Sequence, residues 1–153
     1  MAKIYRGLAA SALALSLWST AAAAEAGHAA PPHHAAVFVG ATSVEGATGF
    51  TIGLDYERRF GRWGTALILD LARLHGANHL VVAPALVVHP WAGLKALVAV
   101  GLEHSDAHDV LVVRIAAGYD VHLGAWSIGP LAAVDRADGS SAVVWGVSAG
   151  LGF

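Results

Sequence analysis

Large apolar residues and small or polar residues alternate along most of the chain after residue 35. Between residues 48 and 58, the even positions from Phe50 to Tyr56 are apolar or aromatic, whereas the odd positions from Thr51 to Glu57 are Thr, Gly, Asp and Glu. A period of two places successive side chains on opposite faces of a β-strand. The same alternation recurs in 63–71, 93–103, 109–120 and 143–153.

Turn signals divide the chain from residue 36 onward into eight candidate strands. Gly, Asp, Ser and His are abundant in the connections, one of which contains residues 121–123. Many short strands at even spacing predict an all-β fold, an eight-stranded antiparallel up-and-down barrel. The predicted strands are 36–43, 48–58, 63–71, 79–88, 93–103, 109–120, 124–135 and 142–153.

One apolar stretch, residues 80–102, is also compatible with a transmembrane helix. Pro84 and Pro90 would break that helix, and His89 and Lys95 would place polar groups inside it. The high valine content and the turn-like segment HPWAG favour two strands instead.

Two prolines fall inside predicted strands. Pro84 and Pro130 each lack the N–H group that a ladder requires, so we expect a β-bulge at both positions.

The composition of the two strand faces indicates which face meets water. The chain is 56% hydrophobic and only 13% charged, and it contains 18 glycines, many of them on the polar face. A water-facing surface would carry more charge, since ordinary globular proteins are roughly 25% charged. Large apolar residues facing lipid, with small and polar residues in a narrow lumen, are typical of small membrane barrels. We therefore predict a transmembrane barrel with a side-chain-filled lumen.

The aromatic residues support a membrane location. If the odd strands run upward, most aromatic residues lie near the lower rim, and a smaller group lies near the upper rim. Aromatic rings with a polar handle are enriched at membrane–water interfaces. The lower group is Tyr56, Trp63, Trp91, Tyr119, Trp126 and Phe153, and the upper group is Phe50 and Trp145.

The first residues have the layout of a secretory signal peptide. Lys3 and Arg6 precede a short apolar run, and small residues follow it. We expect residues 1–24 to be a cleaved signal peptide, residues 25–35 a disordered periplasmic lead-in, and residues 36–153 the barrel domain. Loss of the two N-terminal cations would change the formal net charge from −2 to −4.

The net charge and the absence of cysteine exclude several functions. A net negative chain offers no basic excess for nucleic acid. The absence of cysteine excludes disulfides, thiolate catalysis and cysteine-based metal sites.

The last strand, VVWGVSAGLGF, carries a resemblance to a known group of proteins. Its alternate positions from Val143 to Phe153 are apolar, and its last residue is aromatic. With the signal peptide and the eight strands, the chain resembles the small eight-stranded outer-membrane β-barrel proteins of Gram-negative bacteria. The resemblance implies an outer-membrane location, contact with outer-membrane lipid and lipopolysaccharide, and recognition of the Phe153 strand by the outer-membrane assembly machinery. It also implies a monomer.

Charged residues in the polar phase of the strands are expected inside the lumen. Arg114 is the key case, since it stands among the apolar residues of the sixth strand and needs carboxylate partners, for which Glu57, Glu103 and Asp70 are the candidates. We interpret the set as a salt-bridge network that plugs the barrel. The alternatives are a proton or ion path, or a pair of carboxylates that performs acid–base chemistry. The expected lumen charges are Asp55, Glu57, Asp70, Lys95, Glu103, Arg114 and Asp135.

No catalytic, cofactor-binding or metal-binding residues are assigned. A hydrolase would place a Ser beside a His, but the late serines have only His122, in a predicted turn, as a neighbour in sequence. Histidines and acids at the predicted rims fit no metal-binding motif. The late serines are Ser127, Ser140, Ser141 and Ser148, and the rim groups are His28, His33, His34, His89 and His122 below with His75, His79, His104, His108, Asp106 and Asp109 above.

The sequence thus predicts a non-enzymatic outer-membrane barrel with an envelope-structural or surface-interaction role and no cofactor. Two alternatives remain open: a lipid-modifying outer-membrane enzyme, and a soluble exported β-barrel that binds an apolar ligand.

Overall fold

The computed structural model describes residues 31–74, 76–105 and 109–153, and it is built of antiparallel strands. The expected signal peptide and residues 25–30 of the expected lead-in lie outside the described residues. Residues 33–35, which were also expected to be disordered, instead begin the first strand. No helix among the described residues is long and apolar enough to cross a membrane. The strands are β1 (His33–Val44), β2 (Ala47–Phe60), β3 (Trp63–Leu74), β4 (Ala77–Val88), β5 (Leu94–Ser105), β6 (Asp109–Tyr119), β7 (Val121–Leu123), β8 (Trp126–Ala137) and β9 (Ser140–Gly152).

Each strand pairs with its neighbours in sequence, and β1 also pairs with β9, which closes the sheet. Both β6 and β7 pair with β8, so they are two segments of one barrel strand. The fold is therefore a closed eight-stranded antiparallel barrel, which confirms the predicted fold class. The helix considered for 80–102 is wrong, because this segment forms most of β4, a turn and most of β5. Placing 121–123 in a connection was also wrong, because these residues form β7.

Neither proline produces the expected bulge. The β4–β5 pairing skips Ala83 and Pro84, but the register is the same before and after the gap. The break between β6 and β7 lies opposite Gly129 and Pro130 of β8, and the register with β8 is again unchanged across it. A bulge would insert a residue and shift the register. Each proline therefore interrupts the ladder locally without distorting it.

The register sets the size of the barrel. A path of cross-strand partners that leaves β1 at His34 passes through every barrel strand and returns to β1 at Val44, ten residues further along. Strand number and this stagger together fix the diameter, and eight strands leave an interior that side chains can fill.

The alternation of side chains is as predicted on β2, β3, β5, β6 and β9. On β6, Ile115 is 66% exposed on the outer surface, whereas Val112 is fully buried and Arg114 is 4% exposed. The outward residues are large and apolar, and the inward residues are small or polar with a few larger apolar residues. Glycines that face inward allow close packing: a Cβ on Gly40 would lie 2.5 Å from the Phe38 ring.

The barrel has two different ends. The terminal rim, where β1 begins and β9 ends, also carries the turns at 61–62, 89–93 and 124–125. The loop rim is the other end, where β1, β3, β5 and β8 end, and its described turns include 45–46 and 138–139. Phe153, Trp63 and Trp126 are exposed near the terminal rim, and Phe50 and Trp145 are exposed toward the loop rim, as predicted.

Candidate functional site

The charged residues expected in the lumen all lie on the inward phase of their strands. Sequence analysis missed two further lumen charges, Arg59 and Asp120, and one lumen histidine, His34. Arg59 and His34 lie in phase with their strands but just beyond the predicted strand ends. Extending the alternation by one or two residues at each end would have found both.

Arg114 is the centre of the ion-pair network. Its Nε and Nη2 atoms donate to the two carboxylate oxygens of Asp135 at 2.6 and 2.7 Å, and its Nη1 donates to Asp70. Asp135 lies directly opposite Arg114 in the β6–β8 pairing, whereas Asp70 belongs to β3 on a distant part of the wall. The predicted partner Asp70 is confirmed. Glu57 and Glu103 are wrong as partners, because each binds other groups.

A second group of charges lies near the terminal rim. Glu57 accepts from Arg59 Nε at 3.2 Å and pairs with His89 Nε2 at 2.7 Å. Lys95 Nζ lies 3.2 Å from an oxygen of Asp120. We call these five residues the terminal-rim cluster. Since Arg59, Glu57, Lys95 and Asp120 are almost fully buried, the cluster fills this end of the lumen rather than lining an open channel.

A mainly apolar layer, which Asp55 also borders, separates the two charged groups. Phe38 is 3% exposed and packs with Ala116, Ala133 and Val144, against which Leu97 and Leu131 also lie. The space left in this layer is only about 10 Å³, too little for more than a single water molecule. The lumen is therefore closed at mid-height.

The loop-rim part of the lumen is not filled, so the predicted side-chain-filled lumen does not extend to this end. A cavity of about 250 Å³, here called the loop-end cavity, extends inward from the exposed residues Ser140 and Ser141. Arg114 and its two carboxylate partners lie at the inner part of the cavity, where Thr42 and Thr51 share a hydrogen bond of 2.7 Å. Its lining residues are Thr42, Val44, Thr51, Asp70, Ala72, Leu74, His79, Val81, Glu103, Val110, Arg114, Asp135, Ala137, Asp138, Ser140, Ser141 and Ala142.

A Ser–His pair does exist, but with a histidine that sequence analysis did not consider for it. His34 Nε2 lies 2.8 Å from Ser127 Oγ, and both side chains are buried. The imidazole reaches from β1 over Gly150 of β9 to β8: a Cβ on Gly150 would lie 2.4 Å from His34 Nε2. The pair does not border the loop-end cavity, so no described cavity brings a substrate to it. It ties three neighbouring strands together at the closure of the barrel.

Two further described histidines each pair with a single acid. His79 Nδ1 lies 2.8 Å from Glu103 inside the loop-end cavity, and His104 pairs with Asp109 on the exposed outer side. Within 31–74, 76–105 and 109–153, no group of three or more potential metal ligands converges. Of the rim groups considered above, His28, His75, His108 and Asp106 lie outside the described residues.

The connections at the loop rim are short. Glu45–Gly46 and Asp138–Gly139 are two-residue turns in which both residues have positive φ. Positive φ at both central positions is the geometry of the type I′ hairpin turn, whose twist matches that of the strands. The described loop rim is thus nearly level, with no long segment projecting from it.

The comparisons with known proteins agree with this architecture. No protein-family model and no curated protein matches the sequence. The structure is similar to the crystal structure of Neisserial surface protein A, with a TM-score of 0.62 and 9% identity over 82% of this chain and 100% of that one.

It is also similar to two structures of Ail from Yersinia pestis. One is the outer membrane protein Ail in a phospholipid bilayer nanodisc, with a TM-score of 0.54 and 14% identity over 78% of this chain and 99% of that one. The other is Ail, the attachment invasion locus protein, in complex with the heparin analogue sucrose octasulfate, with a TM-score of 0.52 and 12% identity over 79% of this chain and 96% of that one. Similarity at this level of identity shows a shared fold, that of an eight-stranded outer-membrane barrel.

Proposed function

We propose that this protein is an exported outer-membrane barrel with a non-enzymatic, envelope-structural or surface-interaction role. The observation that carries the proposal is a closed barrel with an apolar outer surface and a blocked lumen. The terminal rim faces the periplasm and the loop rim faces outward. The fold shared with the outer membrane protein Ail supports this location.

The outer surface fits lipid better than water. Along β6, Leu111 and Ile115 are 61% and 66% exposed, and apolar side chains cover the outward positions of the other strands as well. Contiguous exposed apolar patches larger than a few hundred Å² are rare on soluble monomers. A soluble barrel that binds an apolar ligand would carry its large apolar residues inside instead, so the phase of the strands argues against that alternative.

The blocked lumen argues against a pore. The apolar layer around Phe38 and the terminal-rim cluster close the interior at two levels. Arg114 with its two aspartates, and the Arg59–Glu57 and Lys95–Asp120 pairs, hold most of the described interior charges in ion pairs. This supports the salt-bridge plug over the alternative of an ion path.

The geometry does not favour a lipid-modifying enzyme. His34 and Ser127 point into the lumen, whereas a lipid substrate would approach from the outer surface. Nucleophilic catalysis requires a reacting carbonyl beside the serine and donors that stabilise the oxyanion. The pair is buried, and neither the loop-end cavity nor the small space beside Phe38 borders it.

Contacts with outer-membrane lipid and lipopolysaccharide follow from the outer surface. Arg73 and Arg136 are exposed, lie on the outward phase, and stand near the loop-rim ends of β3 and β8. Arginine is well suited to phosphate groups, so both side chains can bind headgroup phosphates of the outer leaflet. The short turns make a large adhesive surface less suitable than a structural role.

The closing strands support recognition by the outer-membrane assembly machinery and a monomeric state. Because β1 and β9 pair along their length, the closed barrel has no free strand edge for a second copy. The apolar, outward positions of β9 end at Phe153, where an assembly factor could bind before the barrel closes.

Cell fractionation with heat-modifiable gel mobility tests the location. A folded outer-membrane barrel is expected in the outer-membrane fraction and is expected to change mobility on boiling, whereas recovery as a soluble periplasmic protein would contradict the proposal. Planar-bilayer recordings on the purified barrel test the closed lumen. We expect no steady conductance, and stable open channels would overturn the assignment of a plug.

A further inference from the structure

The described residues that line the loop-end cavity carry more negative charge than positive charge. Among the described lining residues, four carry carboxylates, namely Asp70, Glu103, Asp135 and Asp138, and one carries a guanidinium, Arg114. Arg114 binds Asp70 and Asp135.

Glu103 pairs with the imidazole of His79. Within the part of the chain that the structure describes, neither Glu103 nor Asp138 has a lysine or arginine partner. Asp138 is exposed, whereas Glu103 is half-buried. Of the two, Glu103 is therefore the carboxylate whose low-dielectric surroundings most favour a compensating charge. An incoming cation would therefore be stabilised at the Glu103 side of the cavity.

The size and the walls of the cavity determine which cation fits. The volume of about 250 Å³ is much larger than a bare metal ion requires. Val44, Leu74, Val81 and Val110 form an apolar wall, against which a short hydrocarbon chain can pack. The described residues do not bring three metal ligands together, which disfavours a coordinated metal.

We propose that the loop-end cavity binds a small organic cation, an alkyl chain of a few carbons that carries a primary ammonium group. The ammonium group donates hydrogen bonds to the Glu103 carboxylate, and the hydrocarbon part contacts the apolar wall. The Thr42–Thr51 hydroxyl pair accepts from a second polar end of the ligand, such as the other ammonium group of a diamine. This inference goes beyond the envelope role and does not depend on it, since it concerns the interior of the folded barrel.

Titration calorimetry on the detergent-solubilised barrel tests the proposal with 1,4-diaminobutane as the probe. We expect saturable binding of one molecule per barrel. The matched neutral molecule 1,4-butanediol has the same chain length without charge and is expected to bind far more weakly. Equal binding of the diol, or no saturable binding of the diamine, would overturn the proposal. Displacement of the diamine by an equal concentration of Mg²⁺ would also overturn it, because it would indicate a site for inorganic cations.

Two variants locate the binding site. Glu103→Gln removes the proposed anchor and is expected to weaken binding by about tenfold or more, the usual effect of losing a hydrogen bond to a charged group. Ala142→Leu fills the mouth of the cavity without a change of charge and should also weaken binding.

Asp109→Asn is the matched control. It removes a carboxylate from the same rim, but Asp109 is exposed on the outer side and pairs with His104 there. Heat-modifiable gel mobility confirms that each variant is folded. Equal weakening by Asp109→Asn and Glu103→Gln would indicate general attraction to an acidic rim and would contradict a site in the cavity.

Discussion

Arg114 and Asp135 face each other directly across the β6–β8 pairing and share two hydrogen bonds inside the barrel. The bidentate contact fixes the guanidinium plane and aims its third donor at Asp70 on β3. Arg114 therefore links β6, β8 and β3 across the lumen, at the boundary between the apolar layer and the loop-end cavity.

Loss of the guanidinium should destabilise the barrel. Arg114→Leu leaves Asp70 and Asp135 buried without their cation, and removal of one partner from a buried pair costs about 3–5 kcal/mol. We expect a decrease of that size in the free energy of unfolding, measured by urea titration of the barrel folded into lipid vesicles. Val113→Leu, next in sequence but on the outer surface, is the control and should change stability little.

A combined variant separates the charge effect from loss of packing. Arg114→Leu with Asp70→Asn and Asp135→Asn removes the stranded negative charges, so it should be more stable than Arg114→Leu alone. If the triple variant were less stable than the single one, the stranded carboxylates would not be the cause of the loss.

The outer surface yields a prediction that depends on depth in the membrane. Ile115 lies at mid-strand and Leu123 near the terminal rim, and both are about two-thirds exposed. Ile115→Arg should destabilise the barrel in vesicles by about 2–4 kcal/mol, and Leu123→Arg by about 0–1 kcal/mol, because the cost of a cation decreases toward the interface. Urea titration of both variants measures the difference. Equal effects at the two depths would be inconsistent with a lipid-facing position for Ile115.

Much of this arrangement follows from period-two alternation, but the pairing register does not. The alternation places Arg114 inward and Ile115 outward, and the structure confirms both. A turn centred on His122 would set Arg114 opposite Pro130. The chain actually turns at 124–125, which moves the register along and sets Arg114 opposite Asp135. A partner directly across the sheet therefore could not be chosen without the turn position.

The loop-end cavity and the His34–Ser127 contact were beyond sequence analysis for a related reason. A cavity arises where inward side chains from several strands happen to be small or to lean away, as with Ala72 and Ala142. The path of a side chain over a neighbouring strand, such as His34 over Gly150, depends on the stagger of the closed barrel. The cavity and the path of the His34 side chain both depend on several strands together, which the pattern of a single strand does not reveal.

The His34–Ser127 hydrogen bond should stabilise the barrel, and a double-mutant cycle should show a coupling free energy between the two side chains. Ser127→Ala or His34→Ala leaves one buried polar group unsatisfied, at a cost of about 1–3 kcal/mol. The double variant should cost clearly less than the sum of the two single variants, because no unsatisfied partner remains. Urea titrations of the four proteins complete the double-mutant cycle. Additive effects would show that the two side chains do not depend on each other.

Phe153 should affect assembly more than it affects the finished barrel. In the folded barrel its backbone exchanges two hydrogen bonds with His33, at 3.0 and 2.9 Å, and its ring stacks on the His33 imidazole with the centroids 5.5 Å apart. The ring itself is 60% exposed at the terminal rim, so it contributes little packing. Phe153→Asp keeps the backbone bonds and places the new charge near the interface, where its cost is about 0–1 kcal/mol.

Phe153→Asp should therefore reduce the amount of assembled barrel in cells but leave the free energy of unfolding of the folded barrel nearly unchanged. The amount of folded barrel in the outer membrane of cells, measured by heat-modifiable mobility, should fall severalfold, because the variant lacks the Phe153 ring of the proposed assembly signal. The free energy of unfolding of the same variant, refolded in vesicles without that machinery, should stay within about 1 kcal/mol of the parent value. Phe153→Tyr retains an aromatic ring and should behave as the parent in both measurements. Normal amounts of Phe153→Asp in the membrane would remove Phe153 as an assembly signal, and a large loss of stability in vesicles would assign it a structural role instead.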